Sequence, residues 1–193
     1  MQNLGFYFEL GWHHIIAKDA FDHLLFLLVL SVVYLMGDWK KVLILITAFT
    51  LGHSLTLILS IVDVIRINAD LVEILIPCTI IITAVFNLWQ KEFDSKSLQR
   101  NYFLAFFFGL IHGLGFANSI RFMMAEDESV AINLLGFNIG LEAGQIVVVI
   151  CILIFSFIIV NKAGLKRNWW VRGLSVFAIV IASKMIWDRF TSL

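Results

Sequence analysis

Seven ionisable side chains of this 193-residue chain lie inside long apolar runs: Asp19, Asp22, His23, His53, Glu73, His112 and Glu142, with His13 and His14 just ahead of the first run. Within hydrocarbon an Asp or Arg costs ~2.5–3.5 kcal/mol on an insertion scale, so each such group calls for a partner or a function. Imidazole mixed with carboxylate suits zinc, nickel, cobalt or ferrous iron. Cys78 and Cys151 lie singly in apolar runs, so they suggest neither a disulfide framework nor a thiolate site, and a soft cuprous site is disfavoured. The acids Asp19, Asp22, Glu73 and Glu142 beside neutral imidazoles make a negative pocket. Either a dication neutralises it, or several of these acids are protonated.

The elements that must position these groups follow from composition. Hydrophobic residues make up 61% of the chain and charged residues 15%, against about half and a quarter in a soluble domain. The excess has no water-soluble core to hide in, so the protein is expected in a bilayer. With 14 Lys+Arg against 14 Asp+Glu, nothing argues for a nucleic-acid partner or a polybasic lipid-binding tail. A crossing helix needs about 20 apolar residues, and such runs recur at 20–37, 41–63, 70–90, 102–123, 131–160 and 169–188. The polar breaks between them are short. The expectation is a single all-α integral membrane domain over 1–193, a bundle of six transmembrane helices preceded by a short amphipathic segment at one interface. That segment is too short and polar to cross, and it lacks the basic start of a signal peptide. The odd-numbered loops carry Lys40, Lys41, Lys91, Lys96, Arg100, Lys162, Lys166, Arg167 and Arg172, and the opposite side carries Lys18, Arg66, Arg121, Lys184 and Arg189. The positive-inside rule then puts both termini on the outer, periplasmic side. Trp39, Trp89, Trp169 and Trp170 at the inner boundary, with Trp12 and Trp187 at the outer one, read as aromatic belts.

Depth and facing draw the ionisable groups together. At ~1.5 Å per residue from the cytoplasmic ends, His53 and His112 sit roughly 15–18 Å deep, and His23, Glu73 and Glu142 about 21–27 Å deep. Asp19, Asp22 and His23 share one side of the first span at i, i+3, i+4. In the fifth span Asn138, Glu142 and Gln145 share a face, and Gly136, Gly140 and Gly144 form a small-residue stripe on the other, which permits close backbone approach. Gly109 and Gly113 flank His112, while Thr47, Thr50 and Ser54 line an edge beside His53, able to orient its ring. The ligand set expected from this layer is His14, Asp22, His23, His53, His112 and Glu142. Asp19, Glu73, Asn138, Gln145 and Ser54 are expected as hydrogen-bonding support. Plainer readings stand beside these. A lone intramembrane His can be an interhelical hydrogen bond; Asp19 and Glu73 can serve as helix caps; Asn138 and Gln145 can be packing glue; Pro77 can be a kink or a break that opens a cavity.

Five blocks carry a resemblance: H-I-I-A-K-D-A-F-D-H-L-L-F from His14, A-F-T-L-G-H-S-L-T-L from Ala48, V-E from Val72, F-G-L-I-H-G-L-G-F-A from Phe108 and F-N-I-G-L-E-A-G-Q from Phe137. In this order they resemble the HupE/UreJ family, over the first five spans. The resemblance implies a multi-pass protein of the bacterial inner membrane, an accessory to hydrogenase or urease, and a nickel or cobalt permease. The first motif departs from the family's H-P-x-x-G-x-D-H: Ile15 follows His14, no Pro or Gly comes after it, and Asp22-His23 stands two residues farther on. The Asp-His pair carries over directly, His14 less so, and a nickel preference does not follow.

Two functions fit the sequence. A permease would capture a divalent ion (nickel, cobalt or zinc) from outside, although the inner half offers no ionisable relay and no inverted repeat is visible. An intramembrane zinc hydrolase would use Glu142 as general base against a lipid or peptide bond near the outer leaflet. A metal-holding subunit for a metalloenzyme-maturation partner, or a homo-oligomer, is equally compatible with one sequence.

Overall fold

A computed structural model describes residues 2–17, 20–90, 95–124 and 130–192. Its elements are α1 (Gln2–Ile16), α2 (Phe21–Ser31), a 3₁₀ turn (Met36–Asp38), α3 (Trp39–Ile61), α4 (Ala69–Trp89), α5 (Ser95–Met124), α6 (Val130–Phe157), a π-helical turn (Ile158–Lys162) and α7 (Arg167–Ser192). No strand occurs among the described residues. Among the described residues four stretches are long and apolar enough to cross a membrane: Met36–Ile61, Ala69–Trp89, Val130–Lys162 and Arg167–Thr191. Phe21–Ser31 and Asn101–Ala117 are shorter apolar helices. The sides of the bundle expose Ile44, Leu51, Phe103, Phe107, Ile132, Ile150, Phe177 and Val180, whereas His23, His53, Thr79, Thr83, Asn87, His112 and Gln145 are buried. Apolar outside and polar within is the arrangement a bilayer selects, and the protein is a multi-pass membrane protein.

Local chemistry sets the helix ends. Asn68 caps α4, its side chain accepting from Asp70 N at 2.7 Å. Asp63 closes α3 at φ 60°, a left-handed position that Asp tolerates. Gly164, at φ 74°, ends the π-helical turn, where Leu165 N reaches back to Ile159 O at 3.2 Å. Pro77 neither breaks nor ends α4, which runs continuously from Ala69 to Trp89. The helical change lies instead between α1, which ends at Ile16, and α2, which begins at Phe21.

Two glycine-mediated seams hold the bundle. The segment expected at an interface forms α1 over Gln2–Ile16, packed along the first half of α6. Gly136, Gly140 and Gly144 leave room for the backbone of Leu4, Phe8 and Trp12 in turn, and a Cβ on Gly11 would clash with Phe137 O. The rising register shows that α1 and α6 run parallel. The second seam joins α3 to α5: side chains at Gly52 and Gly109 would strike Phe106 O and Phe49 O, and one at Gly113 would come within 2.5 Å of His53 O. Where two backbones approach this closely, small residues replace side-chain contact with main-chain contact. The short α2 is wedged between these seams, with Leu25, Phe26, Leu27, Val29 and Leu30 all buried. A helix apolar on every face belongs in a core, and α2 packs against α4, α6 and α7. The first span, expected at 20–37, is thus an eleven-residue α2 with α1 ahead of it.

The two ends of the bundle differ. At one end, Arg121 and Arg66 meet Asp63, and Arg189 of α7 pairs with Glu73 of α4 at 2.8 Å. At the far end, Arg167 donates to Val33 O and Asn101 Nδ2 donates to Tyr34 Oη at 3.3 Å.

Candidate metal centre

Four imidazoles from four helices meet between the seams: His14 of α1, His23 of α2, His53 of α3 and His112 of α5. His53 and His112 are fully buried and His23 is 5% exposed. One ring nitrogen each of His14, His23 and His53 lies within 4.8 Å of the others. His112 completes the group, its ring centroid 5.1 Å from that of His23. The glycine seams explain the convergence. Gly113 and Gly109 let α5 press its backbone against Phe49 and His53 of α3, which puts His112 and His53 in one layer. Gly11 and the α6 stripe seat α1 so that its last turn delivers His14. Phe116 and Phe137 stack at 5.2 Å and wall the cluster, each within 5.7 Å of the His14 ring.

Hydrogen bonding fixes which nitrogens are bare. The Asp22 carboxylate accepts from His23 Nδ1 at 2.9 Å and from the His23 backbone N–H at 2.8 Å, so Nε2 carries the lone pair. Thr79 donates its hydroxyl to Ile76 O at 2.7 Å, and His112 Nε2 donates to Thr79 Oγ1 at 3.1 Å. This leaves the lone pair of His112 on Nδ1. His14 Nε2, His23 Nε2, both His53 nitrogens and His112 Nδ1 are all buried without a partner. An unmade hydrogen bond in a buried polar group costs about 1–3 kcal/mol. An ion accepting the lone pairs would relieve several such costs at once.

The donor set fits a borderline dication. Tetrahedral zinc at ~2.0 Å from each nitrogen needs donors about 3.3 Å apart, so the nitrogens of His14, His23 and His53, within 4.8 Å of one another, would have to draw closer to share an ion. A carboxylate behind a ligating imidazole raises its basicity and fixes its ring, and Asp22 stands in that place behind His23. A pocket of about 360 Å³ leads to the cluster, lined by His14, Asp22, His23 and His112 at depth and by the more exposed His13, Glu73 and Arg189.

The remaining expected residues fall elsewhere. Glu142 is half-buried and accepts from Thr47 Oγ1 at 2.6 Å; it does not line the pocket. Thr50 donates to Gln145 Oε1 at 2.8 Å and Ser54 to Thr50 O at 2.6 Å, so none of the three hydroxyls beside His53 orients its ring. Asn138 lines a separate apolar groove between α3 and α6, with Ile58, Ile61 and Leu134. Asp19 lies outside the described residues. His13 is exposed and lies at the pocket rather than in the cluster. Thr79 and Arg189 were not singled out by the sequence. A polar i, i+4, i+8 stripe in α4 was the available signal for Thr79; for Arg189 there was only its place at the end of a span.

From residue 1 to residue 189 the chain matches the family described as HupE / UreJ protein. No curated protein and no solved structure matches it.

Proposed function

The chain belongs to the HupE/UreJ family, and from that premise we propose that it is a divalent metal permease of the bacterial inner membrane, carrying nickel, cobalt or zinc as cargo. In this reading the six apolar segments are six crossings, with α1 and α2 together making the first and both termini in the periplasm. The observation that carries it is the group of buried His23, His53 and His112 with half-buried His14, all with bare nitrogens, three of them lining an open pocket. Such a site takes a hydrated cation from one face and replaces water with nitrogen. Glu73 at the mouth offsets the charge of Arg189, so the approach is not a barrier to a cation. His14, His23, His53 and His112 are the ligands, and Asp22 orients His23 and balances charge.

The zinc-hydrolase reading needs a general base beside the metal. Glu142, the carboxylate suited to that role by sequence, is engaged with Thr47 away from the pocket, which favours transport. The test is uptake of radiolabelled nickel, cobalt or zinc into proteoliposomes. Wild-type protein should exceed a His23→Ala, His112→Ala double variant by tenfold or more, since each lost ligand costs several multiples of RT. Equal uptake by the two overturns the permease.

A further inference from the structure

Beyond the imidazoles, α4 carries a row of buried polar groups, of which only Thr79 touches the metal site. Thr79, Thr83 and Asn87 recur at i, i+4 and i+8, on one face of the helix, and are 2%, 6% and 6% exposed. Thr79 touches His112, as above. Thr83 donates its hydroxyl to Thr79 O at 2.8 Å, one turn farther from the cluster. Thr83 and Asn87 then line a small cavity of about 10 Å³ with Asn101, Leu30, Phe86 and Leu104, room for about one water. Asn101 continues to Tyr34 Oη at the far end. The groups therefore run from His112 through Thr79 and Thr83 to a shared cavity with Asn87 and Asn101, and on to Tyr34 ahead of α3.

We propose that Thr79, Thr83, Asn87 and Asn101 form the second half of the permeation route, handing a dehydrated divalent cation from the imidazoles to the far face at Tyr34. The inference rests on the permease reading and names its path. Its chemistry follows from where the hydroxyl protons go. Thr79 and Thr83 each give theirs to a carbonyl of their own helix, so their oxygens are left as acceptors, and that of Thr79 already accepts from His112 Nε2. A row of acceptor oxygens suits a cation and not an anion. Hydroxyl and amide oxygens also hold borderline metals far more weakly than imidazole does. Conduction requires such weak successive sites, because a second carboxylate or histidine here would trap a dication. The absence of ionisable side chains from this ladder is thus what release demands. Leu30, Phe86 and Leu104 close around the cavity, so the present state is open at the His pocket and packed beyond it.

The full chain, reconstituted in proteoliposomes, tests this with nickel(II), cobalt(II) and zinc(II) as separate probes. Thr83→Val keeps the shape and removes the oxygen; Asn87→Leu removes the amide. Both should bind metal in detergent within about twofold of wild type, while uptake falls about tenfold or more, the loss expected when one buried polar partner is removed. Thr83→Ser should restore most of the uptake. Should both variants transport within twofold of wild type while His23→Ala, His112→Ala abolishes transport, the ladder is wrong and the permease stands. If wild type moves no more metal than empty liposomes, both readings fall. Thr83→Cys, made after Cys78→Ser and Cys151→Ser, gives a second readout that does not depend on those variants folding. Its thiol should react with a small hydrophilic methanethiosulfonate faster in the presence of transported metal than without it. A thiol that is inert in both conditions overturns the path.

Discussion

The two halves of this bundle solve opposite problems with different atoms. Around His14, His23, His53 and His112 the ring nitrogens are bare and converging, and all but His53 line a pocket of about 360 Å³. Toward Tyr34 they are hydroxyls and amides, each engaged by a neighbour, around a space of about 10 Å³. Unsatisfied nitrogens carry a standing cost that only a ligand relieves. Thr79, Thr83, Asn87 and Asn101 leave no buried side-chain nitrogen or oxygen of this kind. The contrast teaches that binding strength in an apolar bundle is set less by how many polar residues it holds than by how many are left without a partner.

The contrast can be broken by substitutions of graded effect. Removing a ligand should hurt most: His53→Ala is expected to weaken zinc or nickel binding by about 100-fold or more, above the range for groups that only support ligands, read by isothermal titration. Unchanged affinity would mean that the bare nitrogens are not the site. Next, Asp22→Asn leaves the ring in place but withdraws the charge behind it, and affinity should fall by about 10- to 100-fold with the melting temperature nearly unchanged. A third substitution sharpens the structural side. In Gly140→Leu the new side chain meets Phe8 O, and forcing α1 off α6 should cost about 1–3 kcal/mol, seen as a lower melting temperature in detergent together with weaker metal binding. Loss of stability with full affinity would show that His14 does not need the seam. Smaller again is Arg189→Gln at the mouth, half exposed in its pair with Glu73. It should speed metal association by a few-fold at low salt and not at high salt, as a screened surface charge does. The smallest change is expected from Glu142→Gln, with affinity within about twofold, because this acid lies outside the donor set. A large loss there would return Glu142 to the ligands that the sequence suggested.

Much of the site was legible because charge in hydrocarbon is conspicuous. His23, His53 and His112 stand out in any apolar run, and their depths alone put them in one layer. Depth fixes a position along the bundle axis but not the neighbour each side chain meets, and Glu142 shows the difference: at the right level, it meets Thr47. The glycine stripe of α6 announced a close partner without saying which. That partner, α1, lies some 130 residues away in sequence and looked too polar to be packed inside. Its pairing depends on backbone contact, which leaves little trace in side-chain hydrophobicity. The α4 ladder escaped notice for a related reason. Thr and Asn cost little when they bond to their own helix, so nothing in the span demanded an explanation.

The parallel seam between α1 and α6 also dictates when the metal centre can exist. His14 is the first of the four imidazoles to leave the ribosome, yet its helix has nowhere to dock until Gly136, Gly140 and Gly144 have been made. Until then a nascent chain offers three rings at most, so the earliest ligand synthesised is the last to arrive. An unfinished or clipped protein lacking α6 therefore reaches the bilayer unable to sequester a scarce metal, and loading waits for completion of the chain.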